Sequence, residues 1–205
     1  GYGGQRGVHE AGAVSMSSHS DRVLLLSLPV DTECVGLQRP GPSKDSYFCT
    51  PMGVEYVGWL GSNGVHFILL PGDERVFCVN PSMGEPGTFV LPVAENMRQF
   101  LSYVLYCEDT NPRSQLFWMD DGAFQLLLDE DRKADWPGSE EYFACKRAVL
   151  CAIAQAFTLE PEDPYEPVKA LQAAFDPSVL NFSDEYYETL GIGREKTKEV
   201  FCDEP

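Results

Sequence analysis

Residues 54–80 read VEYVGWL-GSNG-VHFILL-PGDE-RVFCVN, three apolar runs (54–60, 65–70 and 75–80) parted by turn residues. Asn-Gly between two such runs suits a two-residue hairpin turn, because both positions tolerate left-handed backbone. Pro71-Gly72-Asp73-Glu74 supplies a second reversal, so the stretch predicts a three-stranded antiparallel meander. A two-residue turn at Asn63-Gly64 sets Trp59 opposite Ile68, and a four-residue turn at 71–74 sets Ile68 opposite Phe77. One face then carries Val57, Trp59, Ile68, Leu70, Phe77 and Val79. The other carries Val54, Tyr56, Leu60, Val65, Phe67, Leu69, Val76 and Cys78. A half-exposed antiparallel sheet alternates apolar with polar residues, whereas here both faces are apolar. Each therefore needs a cover: helices on one, the N-terminal segment or a second copy of the chain, as a homodimer, on the other.

Outward from this stretch the periodicity changes. Upstream, Arg22–Leu28 reads as a first strand closed by Pro29, and 31–44 as a loop marked by Gly36, Pro40, Gly41 and Pro42. Residues 1–20, rich in Gly, Ser and Ala, read as a disordered lead-in. Downstream, 88–91 reads as a last strand and 94–107 as an amphipathic helix with Met97, Phe100, Leu101, Val104 and Leu105 on its apolar face. Asn111-Pro112 opens a helix or a pair of short helices over 112–132, with Gly122 as a break. Ser139, followed by two glutamates, opens the clearest helix, running to Phe157. Short helices follow at 168–175 and 183–190, the second closed by Gly191, and 194–205 reads as a frayed tail. The expectation is one α+β domain over 21–193: an antiparallel β-meander in the N-terminal half, followed by helices packing on the sheet.

The chain has 205 residues and a formal charge of −17. The charge is uneven: residues 1–107 hold 10 acids and 6 bases, residues 108–205 hold 22 acids and 9 bases. Such a surface repels phosphate backbones and anionic lipid, so no nucleic-acid or membrane partner is expected. No apolar run approaches the roughly 20 residues of a membrane span. Val23-Leu24-Leu25-Leu26, followed by Pro29 and Asp31, is too short for a secretory leader. Seven cysteines at irregular spacing read as free thiols in a reducing, cytoplasmic compartment.

Catalytic and metal-binding patterns are weighed and set aside. A catalytic thiol needs a histidine beside it, yet alternation along the strands sends His66 and Cys78 to opposite faces. No CxxC or CxxH pair suggests zinc, and Cys145 and Cys151 fall on different sides of one helix. The acidic runs 129–131 and 160–166 lack the alternating oxygen ligands and central glycine of an EF-hand loop. GxxxxGK[ST], GxGxxG and GxSxG are absent, and no cofactor is implied.

The segment from Tyr56 to Cys107 resembles part of the SUKH superfamily, the Smi1/Knr4-like immunity proteins. The likeness is a meander running into a strand whose end feeds an amphipathic helix, here Val93-Ala94-Glu95-Asn96-Met97-Arg98-Gln99-Phe100-Leu101. The family's usual leading helix with a Leu-Pro step is not visible before Tyr47. The resemblance implies a non-enzymatic α+β binder that neutralises a toxin or docks a partner.

These observations point to an acidic module for a basic protein partner. The residues assigned to the contact are Asp129, Glu130 and Asp131 at the end of one predicted helix, Glu140 and Glu141 at the start of the next, and Trp136 between them as an aromatic anchor. The alternative is an enzyme whose cleft gathers scattered carboxylates and thiols.

Overall fold

Four strands form the sheet in the order β1-β2-β3-β4, each antiparallel to its neighbour: β1 (Glu55–Trp59), β2 (His66–Leu69), β3 (Val76–Val79) and β4 (Val90–Ala94). The computed structural model in which they are seen describes residues 17–41 and 46–194. The predicted lead-in up to residue 16 and the predicted tail from 195 lie outside the described residues. Among the described residues seven α-helices frame the sheet: α1 (Ser18–Ser27), α2 (Met97–Cys107), α3 (Asn111–Gln115), α4 (Asp121–Lys133), α5 (Ser139–Phe157), α6 (Tyr165–Ala173) and α7 (Asp184–Leu190). The α+β class, with the meander ahead of α2–α7, is as the sequence predicts, while α1 precedes the sheet.

The β2–β3 register is the expected one, with Ile68 opposite Phe77 and His66 opposite Val79. The β1–β2 register is not. Asn63 and Gly64 do adopt left-handed backbone, at φ 55° and 70°, but the ladder closes at Leu60 and Val65, leaving a four-residue loop. Trp59 therefore faces His66 rather than Ile68. That shift of two residues keeps Trp59 on its predicted face. A bulge between Tyr56 and Gly58 then slips the register by one more and turns Val54 and Tyr56 to the face predicted for Val57, and Val57 to theirs. Gly58 sits at the bulge for a steric reason. A Cβ there would lie 2.9 Å from Leu37 Cδ2, 3.1 Å from Leu37 Cα and 3.2 Å from the Gln38 carbonyl. Gln38 bridges Trp59 through reciprocal backbone hydrogen bonds and shields the edge of β1.

Residues 22–27 are helical, not a strand, and Leu28 caps the helix. Ser17 caps α1 by accepting from the Ser20 amide, and Ser18 is buried, hydrogen-bonded to both the side chain and the carbonyl of Glu74 and to the Met97 amide. Ser17–Ser20 thus belong to the fold. Of the two readings of 112–132, the pair of helices holds, and the break falls at Met119–Asp120 rather than at Gly122, because Asp120 caps α4 by accepting from Ala123 N at 2.8 Å.

Each sheet face has its own core. Phe67, Leu69, Val76 and Cys78 pack beneath α2, whose Met97, Phe100, Leu101 and Val104 are all buried; α1, α4 and α5 add Leu25, Phe124, Leu128, Val149 and Ile153. Ile68, Leu70, Phe77 and Val79 lie beneath Cys49, Phe89, Phe182 and Tyr186. This second cover is therefore the chain itself, through segments 46–52 and 175–192, joined to each other by Met52 N donating to Asn181 O at 2.8 Å.

Cys34, in a turn of 3-10 helix at Thr32–Val35, is bonded to Cys145 of α5, with the Cα atoms 6.2 Å apart. The expectation that all seven cysteines are free thiols is corrected by this bond. Proximity of the two sulfurs, set by tertiary packing across 111 residues of sequence, is invisible in their spacing.

Candidate docking face

The six residues assigned to a partner contact fall on α4, α5 and their linker. Phe124 and Leu128 turn the apolar side of α4 into the core and leave Asp129 and Glu130 exposed. Asp131 is half-buried, and its carboxyl is held above the usual range by burial and then by the negative charge of Asp109. The linker turns at Gly138, whose φ of 90° is a left-handed conformation. Glu140 and Glu141 stand exposed in the first turn of α5, where the helix dipole favours carboxylates.

Trp136 is 42% exposed. Its ring centroid lies 5.4 Å from that of Tyr142 and 5.7 Å from that of Phe143, so the first turn of α5 props an aromatic cluster at the surface. The cluster is anchored from beneath. Lys146, 6% exposed, reaches Asp109 at 3.1 Å and lies 4.9 Å from the Tyr142 ring centroid, while Tyr142 donates to Asp109 at 3.4 Å.

The face is not uniformly acidic. A groove between α4 and α5 is lined by Arg132, Lys146 and Arg147 as well as by Glu108, Asp135 and Glu140. Of the six predicted residues only Glu140 lines it. Two of the bases are engaged internally: Lys146 with Asp109, and Arg132 with Glu108 at 3.7 Å and Asp129 at 3.9 Å. Among the described residues Glu130, Glu140 and Glu141 form no ion pair. The sequence missed this interleaving of cations because Lys146 and Arg147 sit several residues beyond the acidic run and return to it only through the packing of the helix pair.

Elsewhere His66 and three of the free thiols are buried, whereas Cys151 on α5 is an exposed free thiol. His66, on β2, is wholly buried; one ring nitrogen lies 2.7 Å from the Gly64 carbonyl and the other 3.0 Å from the Thr50 hydroxyl. Its Nδ1 therefore donates and its Nε2 accepts, which fixes the neutral tautomer. Burial drives its pKa down to about 4, opposed by the Gly64 carbonyl. Trp59 stacks on it at 4.2 Å. Cys78 sits on the opposite face, as alternation predicts. Burial pushes the thiols of Cys49, Cys78 and Cys107 up to about 12, so they stay protonated and weakly nucleophilic at neutral pH. Among the described residues, Asp31, Cys34 and Cys145 gather ligand atoms of the kind that hold a metal, but both sulfurs are spent on the disulfide. No helix among the described residues is long and apolar enough to cross a membrane.

Comparison with protein-family models, with curated proteins and with solved structures finds no match to this chain, and the likeness of residues 56–107 to the SUKH superfamily rests on the sequence pattern alone.

Proposed function

We propose that the chain is a non-enzymatic acidic binding module, a bacterial immunity-type protein in the sense of its SUKH resemblance, that docks or neutralises a basic protein. The observation that carries the reading is the aromatic cluster of Trp136, Tyr142 and Phe143, held at the surface among Glu130, Glu140 and Glu141, which form no ion pair among the described residues. Long-range attraction raises the encounter rate of a basic partner, and burial of the Trp136 ring slows its departure. The matching surface carries Lys or Arg around an apolar socket. The enzyme alternative is weakened by the neutral, doubly hydrogen-bonded His66 and by the protonated buried thiols.

The test begins with capture from the source cell at low and at high salt, then moves to kinetics with the purified partner. Reversing Asp129, Glu130 and Asp131 to Lys is expected to cut the association rate about tenfold at low salt and much less at high salt. Trp136→Ala is expected to act on dissociation, by about 2 kcal/mol or more. An association rate indifferent to the triple reversal at low salt refutes the docking face.

A further inference from the structure

Arg113 is the most demanding group in the interior. It sits on the short helix α3, is 1% exposed, and holds its guanidinium carbon 3.9 Å from the centroid of the Phe100 ring. Nη1 donates to the Phe100 carbonyl at 2.6 Å. Nε and Nη2 are buried without any hydrogen-bond partner, and among the described residues no carboxylate lies within ion-pair distance of Arg113. The two orphan nitrogens are the pair whose N–H bonds run parallel along one edge of the guanidinium, the fork that fits both oxygens of a carboxylate. A buried cation stripped of its counterion costs several kcal/mol. Stacking on Phe100 offsets the loss at one flat face of the group and leaves the fork unserved.

Arg113 lines a small cavity together with Cys78, Met83, Ser114, Phe117 and Gln172, with space of about 10 Å³, enough for one water. The Gln172 carbonyl oxygen, also on the cavity, is likewise unpartnered. A water bridging the two satisfies hydrogen bonds but brings no charge. Beside the cavity lies an open groove of about 610 Å³ that shares Asn80, Met83, Thr88, Ser114 and Phe117 with it. Phe117 and Trp118, 40% and 52% exposed, form an apolar wall of the groove. Met83 is common to both spaces, and a thioether chain can swing aside at little cost.

We propose that this groove is a ligand site for a carboxylate attached to an aromatic or apolar body. The carboxylate passes Met83 and docks on the Nε–Nη2 fork of Arg113, while the body lies against Phe117 and Trp118. None of the six residues of the acidic face takes part, so the two sites stand or fall separately. A free organic acid and the C-terminal carboxylate of a peptide share this chemistry.

Proton–nitrogen spectra of the arginine Nε–H groups test it directly, with the Arg113 signal identified by its proximity to the Phe100 ring. Phenylacetate is expected to shift that signal saturably, and phenylacetamide, equal in shape but uncharged, is expected not to. Peptides ending in Phe as free acid or as amide then separate the two sources. Arg113→Met is expected to abolish saturable phenylacetate binding, followed by calorimetry, while keeping the melting temperature, because an apolar stem replaces an unpaired charge. Should that variant fail to fold, Met83→Trp serves, since it fills the passage and is expected to weaken phenylacetate at least tenfold with Arg113 in place. An equal response to acid and amide, or no saturable shift up to about 10 mM, weaker than any millimolar site, overturns the proposal and leaves the cavity to a water.

Discussion

The two faces of the sheet bury comparable apolar side chains but under covers of different construction. Over Phe67 and Cys78 lies α2, a continuous helix of 11 residues, with α5, of 19 residues, packed on it and fastened to the Thr32–Val35 turn by the Cys34–Cys145 bond. Over Ile68 and Phe77 lie two short pieces, 46–52 and 175–192, whose one helix, α7, has 7 residues. A helix that short has no stability of its own. Its docking depends on a few aromatic contacts, notably Phe182 stacked 3.8 Å from Tyr186. The first cover should therefore open only with the whole fold, while the second can lift alone.

The largest expected effect breaks this contrast or confirms it. Phe100→Ala should lower the free energy of unfolding by about 3–5 kcal/mol, read from urea melts. Phe182→Ala should cost less globally, because a segment that detaches on its own can forfeit no more than its docking energy. Hydrogen exchange in the second variant should accelerate for α7 and leave β2 and β3 protected. Equal losses with uniform exchange would make both covers one cooperative unit.

A smaller effect belongs to the second face alone. His66 is held neutral by burial, with a folded-state pKa of about 4 against 6.5. As pH falls, the unfolded chain takes up the proton first. Stability is therefore whole above pH 6.5, declines as pH falls from there to about 4, and levels off below. Over that window the loss amounts to about 3 kcal/mol. His66→Phe should flatten it in urea melts run across the range, and an unchanged slope would place the acid sensitivity elsewhere.

The smallest effect probes the edge where the two cores meet. Gly58→Ala drives a methyl against the backbone of Leu37 and should cost about 1–3 kcal/mol in the same melts. A neutral result would disprove the bulge.

Local chemistry made β2, β3 and α5 readable in advance. The needed residues stand next to the elements they bound, as Pro71-Gly72 and Glu140-Glu141 do, although the N-cap of α5 is Gly138 rather than Ser139. β1 was legible as a strand, but its register was not, because its bulge answers to Leu37 and Gln38, some 20 residues earlier in the chain. α1 was misread because Val23–Leu26 is too short an apolar run to show a period, although Ser17, its cap, stood in plain view. The acids of the docking face were legible as charge, and so was Arg132 directly after them, but the return of Lys146 and Arg147 to the same groove was not. Nothing local marks Arg113, which follows a helix-opening Asn-Pro and reads as solvent-exposed. Its isolation comes wholly from the packing of α2 and the sheet around it.

The order of manufacture gives the second cover a further consequence. The last strand ends at Ala94, whereas Phe182 and Tyr186 are added almost 90 residues later. At ribosomal speeds of about 5–20 residues per second, this leaves roughly 5–20 s in which Ile68, Leu70, Phe77 and Val79 are made but have lost their largest shield. During that interval the nascent chain shows a bare aliphatic ribbon to its surroundings. Its solubility then rests on holdase chaperones and on how quickly the closing segment leaves the ribosome.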